Sequence, residues 1–300
     1  MKNKKAIFII IGILLVVCIA VVAIVLSTKK EDSYRIVKVY EFEGDGVVNR
    51  ESLGDIEPYN NMVLESGDNI KLNTGLMTLK LDDDKYVYVE ENTEFSLEAT
   101  GTSENSKTTI NLKSGAITNE IQNKLSGESS YEINTPNSTM AVRGTTYYVR
   151  VYEDNKGVKY TRVSVFEGKV TTKLMYADGT IADKEVAVDA GKEVIIYEDD
   201  TTTDYIGDVT DIDYSTLPDE VLLIVGEVFD MDETMTDEEI IKNFKGPFTV
   251  TFIYDGNVFG TQIVEKGSCA QVPSLMPAPS GAWDFDFETP IIEDIEIQWK

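Results

Sequence analysis

Hydrophobic and polar residues alternate with a period of two from Tyr34 to about Tyr197, and glycine, asparagine and aspartate interrupt the alternation. Tyr86-Val87-Tyr88-Val89 and Thr146-Tyr147-Tyr148-Val149-Arg150-Val151 carry the aromatic and β-branched side chains that fit a pleated, half-buried surface. Val163 and Val165 alternate in the same way with Arg162 and Ser164. Glu153-Asp154-Asn155-Lys156-Gly157 and Ala177-Asp178-Gly179 supply turns between such runs. No capped helical stripe is sustained here, so the pattern predicts an all-β block. A loose motif runs through it: Leu64-Glu65-Ser66-Gly67, Leu112-Lys113-Ser114-Gly115, Phe166-Glu167-Gly168 and Val188-Asp189-Ala190-Gly191. Each is expected to end a strand at a glycine corner. The spacings are too irregular for a solenoid repeat. They suit strands wrapping repeatedly between two sheets, in a β-sandwich or β-helix-like arrangement.

The pattern then changes. Glu198 to Asp213 has the low hydrophobicity and high charge of a solvated linker. Ser215-Thr216-Leu217-Pro218-Asp219-Glu220 reads as a helix start, which predicts one short helix over Val221 to Phe229 and another over Thr236 to Phe244. From Gly246-Pro247 onward, Phe248, Val250, Phe252 and Tyr254 alternate with Thr249, Thr251 and Ile253. Asp255-Gly256 makes a two-residue hairpin turn, Val258 to Val264 returns, and Ile295, Ile297 and Trp299 close the chain. This predicts a compact β-domain small enough to depend on its aromatic content.

Ahead of these blocks, Ala6 to Leu26 is a run of 21 residues without a charge. As a helix it spans roughly the 30 Å of a bilayer's hydrocarbon. The rival reading is a cleaved secretory signal, whose apolar stretch is shorter, with Ala23 and Ser27 as weak cleavage sites. Cys18 follows Val16-Val17 rather than small residues, which favours membrane packing over lipoprotein processing. Lys2, Lys4 and Lys5 precede the run and Lys29, Lys30 and Arg35 follow it, so the charge bias is mild. A short lysine-bearing tail stays in the cytoplasm. The expected protein is therefore single-pass in the cell membrane, with residues 1–5 cytoplasmic, 6–26 the anchor, and the bulk extracellular. The exterior divides into a β-domain over 34–197, an acidic linker with short helices over 198–245, and a small β-domain over 246–300.

Charge narrows the function classes. The chain has 53 Asp or Glu against 27 Lys or Arg, a formal net charge of −26. Five of the lysines precede the first acid, Glu31, so the exterior is more negative still. Nucleic-acid binding depends on neutralising phosphates with Lys and Arg, and is excluded on this balance. The chain has no histidine, which removes the commonest general base and metal ligand. Its two cysteines, Cys18 and Cys269, offer neither a zinc site nor a disulfide framework, though Cys269 is free to pair with another chain. No catalytic residues, metal site or cofactor are expected. The acids of the linker lack calcium-loop spacing, and Asp82-Asp83-Asp84 reads as a strand-linking turn.

The middle block resembles the FecR domain. The resemblance runs through Leu64-Glu65-Ser66-Gly67-Asp68, Glu91-Asn92-Thr93-Glu94-Phe95 and Leu112-Lys113-Ser114-Gly115, and is sharpest at Ile133-Asn134-Thr135-Pro136 followed by Val142-Arg143-Gly144-Thr145. Val165-Phe166-Glu167-Gly168-Lys169-Val170 and Asp189-Ala190-Gly191-Lys192 complete it. The resemblance implies an extracytoplasmic all-β domain tethered by one membrane helix. Thr135, Pro136, Arg143, Gly144, Thr145, Gly168 and Gly191 are its motif residues, expected to act structurally. Sigma-factor regulators of this family carry a cytoplasmic domain where this chain is expected to have a tail of only five residues. The terminal segment resembles one internalin-type B-repeat, a small β-grasp module of bacterial surface proteins, through Val250-Thr251-Phe252, Asp255-Gly256, Gly281, Trp283-Asp284-Phe285 and Trp299.

Two readings of Arg143 stand side by side. It holds an anionic ligand or a partner carboxylate by a forked hydrogen bond, or Gly144 makes a bulge and Arg143 ties a neighbouring loop. Trp283 and Trp299 are read as core, with sugar stacking as the rival. The expected function is non-catalytic binding or scaffolding at the cell envelope, with an unidentified envelope protein or glycan as partner. The alternative is transmembrane signalling through a membrane partner.

Overall fold

The computed structural model describes residues 35–102, 105–176, 178–197 and 206–300. The expected anchor over 6–26, with Cys18, lies outside these. Among the described residues no helix is long and apolar enough to cross a membrane.

Among the described residues the chain is all-β apart from two short helices and a single 3₁₀ turn. Fourteen strands form one hydrogen-bonded network rather than two separate sheets. The reason lies in three long strands: β1 (Val37–Arg50), β3 (Asn69–Leu81) and β6 (Ser106–Ile121). The start of β6 pairs with β5 (Thr93–Gly101) and, in parallel, with β7 (Ser130–Asn134). Its end pairs instead with β4 (Lys85–Val89) and β9 (Thr146–Glu153). Likewise β3 pairs with β5 through Asn69–Leu72 and with β4 through Met77–Leu81. These strands therefore belong to two layers at once. Leu112-Lys113-Ser114-Gly115 does not end a strand, as the motif predicts. β6 runs through it and turns at Gly115, whose φ is +85°.

The first layer continues from β9 through β10 (Lys159–Glu167) and β13 (Lys192–Tyr197) to β14 (Thr210–Asp211). The second continues from β7 through β8 (Ser138–Val142) and β11 (Lys169–Met175) to β12 (Ile181–Asp189), with β2 (Gly54–Ile56) at its far side. One hydrophobic core contains residues of both, among them Val87, Phe95, Ile110, Tyr147, Val163 and Val188.

The first layer is covered on its outer face as well. Ala116, Tyr148 and Phe166 pack with Leu217, Val221, Leu222, Val225 and Phe244. The last four come from α1 (Asp219–Val228) and α2 (Asp237–Lys245). This explains why Thr146–Val149 and Val163–Phe166 are buried without a break: a strand covered on both faces loses its alternation. α1 has Asp219 and Glu220 in its first turn, favourable at the positive end of the helix dipole. α2 begins with a capping box in which Thr236 and Glu239 bond each other's backbone N–H groups. The two short helices expected after Ser215 are thus packed on the sheet, with their apolar stripe buried against it.

Glu90, at the end of β4, is half-buried here. Its Oε1 and the neighbouring Tyr148 hydroxyl lie buried beside each other, with no other hydrogen-bond partner among the described residues. Burial raises its pKa above the usual carboxylate range, Arg150 opposing and Glu220 of α1 adding to the rise. The unfolded chain therefore releases this proton at lower pH than the folded one. Stability falls as pH rises from the ordinary glutamate range through the raised folded value. Glu90→Gln is expected to flatten that slope and to stabilise the protein by up to about 1 kcal/mol at pH 7, solvent on the open side limiting the gain. Urea unfolding at pH 4.5 and 7.5 checks it, and a slope identical to the parent's would refute the assignment.

The remaining residues form a second unit. β15 (Phe248–Tyr254) lies between β16 (Asn257–Val264), antiparallel, and β17 (Ile295–Gln298), parallel. Asp255 and Gly256 make the tight turn at φ +48° and +72°, the left-handed values that a two-residue hairpin of this hand needs. Phe248, Val250, Phe252, Trp283, Ile291 and Ile297 form its core. Trp283 is buried, its ring edge-to-face with Phe252 and Trp299 at 5.0 Å each. That places both tryptophans in packing contacts. Asp294 joins the unit to α2: it accepts from Lys242 Nζ at 2.7 Å and from the Thr249 backbone N–H at 2.6 Å, and these bonds hold its carboxyl below the usual range.

Candidate functional site

The motif residues fall at two ends of the same strands. Thr135, Pro136 and Asn137 occupy the β7–β8 turn, while Arg143-Gly144-Thr145 leads out of the far end of β8. The five residues of β8 separate them, about 17 Å of extended chain. The structure does not bring these two groups together.

At the first end, Thr135, Asn137, Ser138 and Thr161 are buried polar residues. Thr161 Oγ1 donates to Asn137 Oδ1 at 2.6 Å and shares a hydroxyl–hydroxyl hydrogen bond with Thr135 Oγ1 at 2.8 Å. Asn137 Nδ2 donates to the Lys159 carbonyl at 2.8 Å and the Ile196 carbonyl at 3.1 Å. Asn137 thus stitches the β7–β8 turn of the second layer to β10 and β13 of the first. Its own carbonyl accepts from the Met175 N–H of β11 at 2.9 Å. Pairwise alternation cannot single out Asn137, because its partners come from strands 22 and 59 residues away. Asn137→Ala removes the partner of the buried Ile196 carbonyl and of the part-buried Lys159 carbonyl, at about 1–3 kcal/mol for a fully buried group. A loss of about 2–4 kcal/mol in urea unfolding is expected. A loss below about 0.5 kcal/mol would show the knot to be dispensable.

At the second end the chain crosses between layers three times: β8 to β9 through Gly144, β10 to β11 through Gly168, and β12 to β13 through Gly191. The crossings interlock. Thr145 Oγ1 donates to the Lys169 carbonyl at 3.1 Å, the Ala190 N–H to the Gly168 carbonyl at 3.2 Å, and the Gly191 N–H to the Val165 carbonyl at 2.8 Å. A side chain on Gly168 would meet the Gly144 carbonyl oxygen at 2.7 Å. Gly144 is accordingly a layer crossing and not a bulge within a strand. Arg143 is exposed, and among the described residues no carbonyl or acid ties it to a loop.

Two arginines that alternation does not reveal pair with buried or nearly buried acids. Arg50 grips the buried Asp68 through Nε at 2.8 Å and Nη2 at 2.7 Å. Arg35 grips Asp82 of the Asp82-Asp83-Asp84 turn, with its side chain 4% exposed, and also donates to the Thr100 and Lys107 carbonyls. Lys85 joins the same turn at Asp84. Cys269 is an exposed thiol. Among the described residues no group of three or more His, Cys, Asp or Glu side chains is placed to hold a metal ion. Nothing in the motif clusters pairs a nucleophile with a base. Thr135 and Thr145 bond neighbouring strands there, and Gly168 and Gly191 stand at the crossings.

These features define the class: an all-β module of bent strands in two layers, with glycines and a buried polar knot at the crossings. Residues 69–171 match the family model described as FecR protein, and this stretch is a FecR domain. Among solved structures, the chain is similar to two crystal structures of a candidate anti-sigma factor from Parabacteroides distasonis ATCC 8503. One is 16% identical with a TM-score of 0.36, covering 48% of this chain and 59% of that one. The other is 13% identical with a TM-score of 0.38, covering 77% of this chain and 98% of that one. No curated protein matches the chain.

Proposed function

We propose that this chain is a membrane-anchored, extracytoplasmic FecR-domain protein that binds or scaffolds at the cell envelope without catalysis. The reading is carried by one observation: a FecR domain follows, in the same chain, a run of 21 uncharged residues. In this reading residues 1–5 lie in the cytoplasm, 6–26 span the membrane, and the β-layers, the helices and a B-repeat-like module over 246–300 lie outside. The acidic surface favours a soluble, outward-reaching body and discourages anionic polymers as partners. Protease added to intact cells is expected to digest the chain beyond residue 34. A body left intact while known external proteins are cut would overturn the compartment.

A second reading, transmembrane signalling, draws on Arg35. It lies nine residues beyond Leu26, at most about 30 Å of extended chain. Its guanidinium is bonded to Asp82, Thr108 and two carbonyls, so the sheet holds the chain at Arg35. Replacing Ala6–Leu26 by an unrelated span separates the two readings. A scaffold keeps working with the foreign span, whereas a signalling protein that acts through helix contacts loses its output.

A further inference from the structure

On the outer face of the second layer, β7, β8 and β11 lie side by side. Their register places Glu132, Ala141 and Thr171 in one row across the strands. Just past the end of β8, Ser130, Arg143 and Lys169 line the same place. Ala141 is the smallest member of the row, so a notch of about 350 Å³ is left there. Of the five arginines in the chain, Arg35, Arg50 and Arg162 are in ion pairs and Arg150 lies over the Tyr152 ring. Arg143 has no such partner among the described residues. In a chain with 53 acids and 27 bases, a guanidinium left unpaired at the mouth of a notch is the exception.

We propose that this notch binds a single carboxylate presented by a protein partner, gripped by the fork of Arg143 and supported by Lys169. The planar guanidinium matches a carboxylate with two parallel N–H···O bonds, a geometry that an ammonium does not offer. Two acids face the same place. Asp189 pairs with Lys169 at 2.9 Å and takes up much of its charge, which leaves Arg143 as the main donor. Glu132, also in the lining, repels a second negative charge. The notch therefore suits an isolated acid flanked by small neutral residues, with Ala141 and Thr171 leaving room for the neighbours, and not a polyanion. The chain's distant acids weigh little, because charges beyond about 8 Å are largely screened at physiological salt. The site gives a contact point to the partner-binding role proposed above and rests on that reading. Its test reads binding directly, so a negative result leaves the question of the membrane anchor untouched.

The full chain in detergent micelles, labelled with ¹⁵N, is titrated with acetyl-Ala-Glu-Ala-amide, its Gln counterpart and inorganic phosphate, following the Arg143 Nε–Hε and Ala141 amide resonances. The Glu peptide is expected to shift both saturably and the Gln peptide neither. Arg143→Gln should weaken the Ala141 response at least about tenfold, and Glu132→Gln should tighten it about threefold. Lys113→Gln, whose lysine pairs with Glu94 elsewhere, should leave it unchanged. Equal shifts with the Gln peptide, no shift with either, or binding unaffected by Arg143→Gln would each overturn the proposal. Tighter binding of phosphate than of the Glu peptide would overturn the carboxylate assignment.

Discussion

Gly115→Ala is expected to prevent folding. Its φ of +85° already disfavours a side chain, and a Cβ there would lie 2.3 Å from Thr93 Oγ1, 2.5 Å from Thr93 Cα and 2.7 Å from the Asn92 carbonyl oxygen. Thr93 cannot step aside cheaply. Its hydroxyl accepts from the Ala116 N–H at 3.0 Å and donates to the Ala116 carbonyl at 3.2 Å, so the clash and the hydrogen bonds involve the same atoms. The strain falls on backbone at the point where β6 leaves one layer for the other. A cost above about 4 kcal/mol follows, comparable with the whole stability of an ordinary domain. Gly67→Ala is the control, because Gly67 also has positive φ, +97°, but nothing lies within 4 Å of the place its Cβ would take. It should cost only about 1–2 kcal/mol. Circular dichroism and thermal melts of the two variants check the contrast. Similar, modest losses in both would remove the argument that β6 turns at a crowded corner.

Asp68→Ala carries the second large effect. Asp68 is 1% exposed and receives two bonds from Arg50 and one from the Glu65 N–H at 2.8 Å. Removing it leaves a nearly buried guanidinium with Glu65, on the solvent side, as its remaining acid. Breaking a buried pair in this way costs about 3–5 kcal/mol. Replacing both partners, Arg50→Met with Asp68→Leu, should recover part of that loss, because no charge is then stranded. Urea unfolding of the single and double variants reads the difference. A loss under about 1 kcal/mol for Asp68→Ala would mean that Glu65 takes over the pair.

The two arginines show why a pattern-based reading stops where it does. Strand periodicity depends on neighbours two residues apart, and that signal located the strands from Tyr86-Val87-Tyr88-Val89 to Val163 and Val165. Arg50 and Asp68 are 18 residues apart and Arg35 and Asp82 are 47 apart. Nothing local distinguishes them from the many other charges of the chain. The same holds for Asn137, an ordinary turn residue until β10 and β13 arrive beside it. The first helix was legible through Pro218 and the first-turn acids Asp219 and Glu220, although the hydroxyl cap expected before it does not form and Pro218 stands at the N-cap; what the helices cover was not legible. The unbroken burial of Val163–Phe166 depends on α1 and α2 lying outside the sheet. The sequence pattern around Arg162 and Ser164 predicted alternation there. Ser164 is instead fully buried, with its hydroxyl donating to Glu193.

The sequence by itself determined the all-β character, the FecR resemblance and the positions of the glycine corners, and set the expectation that nucleic acid is not a partner. Each of these follows from local alternation, from residue types that tolerate positive φ, or from net charge, none of which needs a partner in space. Only the tertiary structure decided that Gly115 bends a continuing strand, that the acidic helices are packed against the sheet, and that Arg143 stands unpaired beside a notch. Those outcomes depend on which distant segments are brought together, and burial and ion pairing come into existence only once they meet.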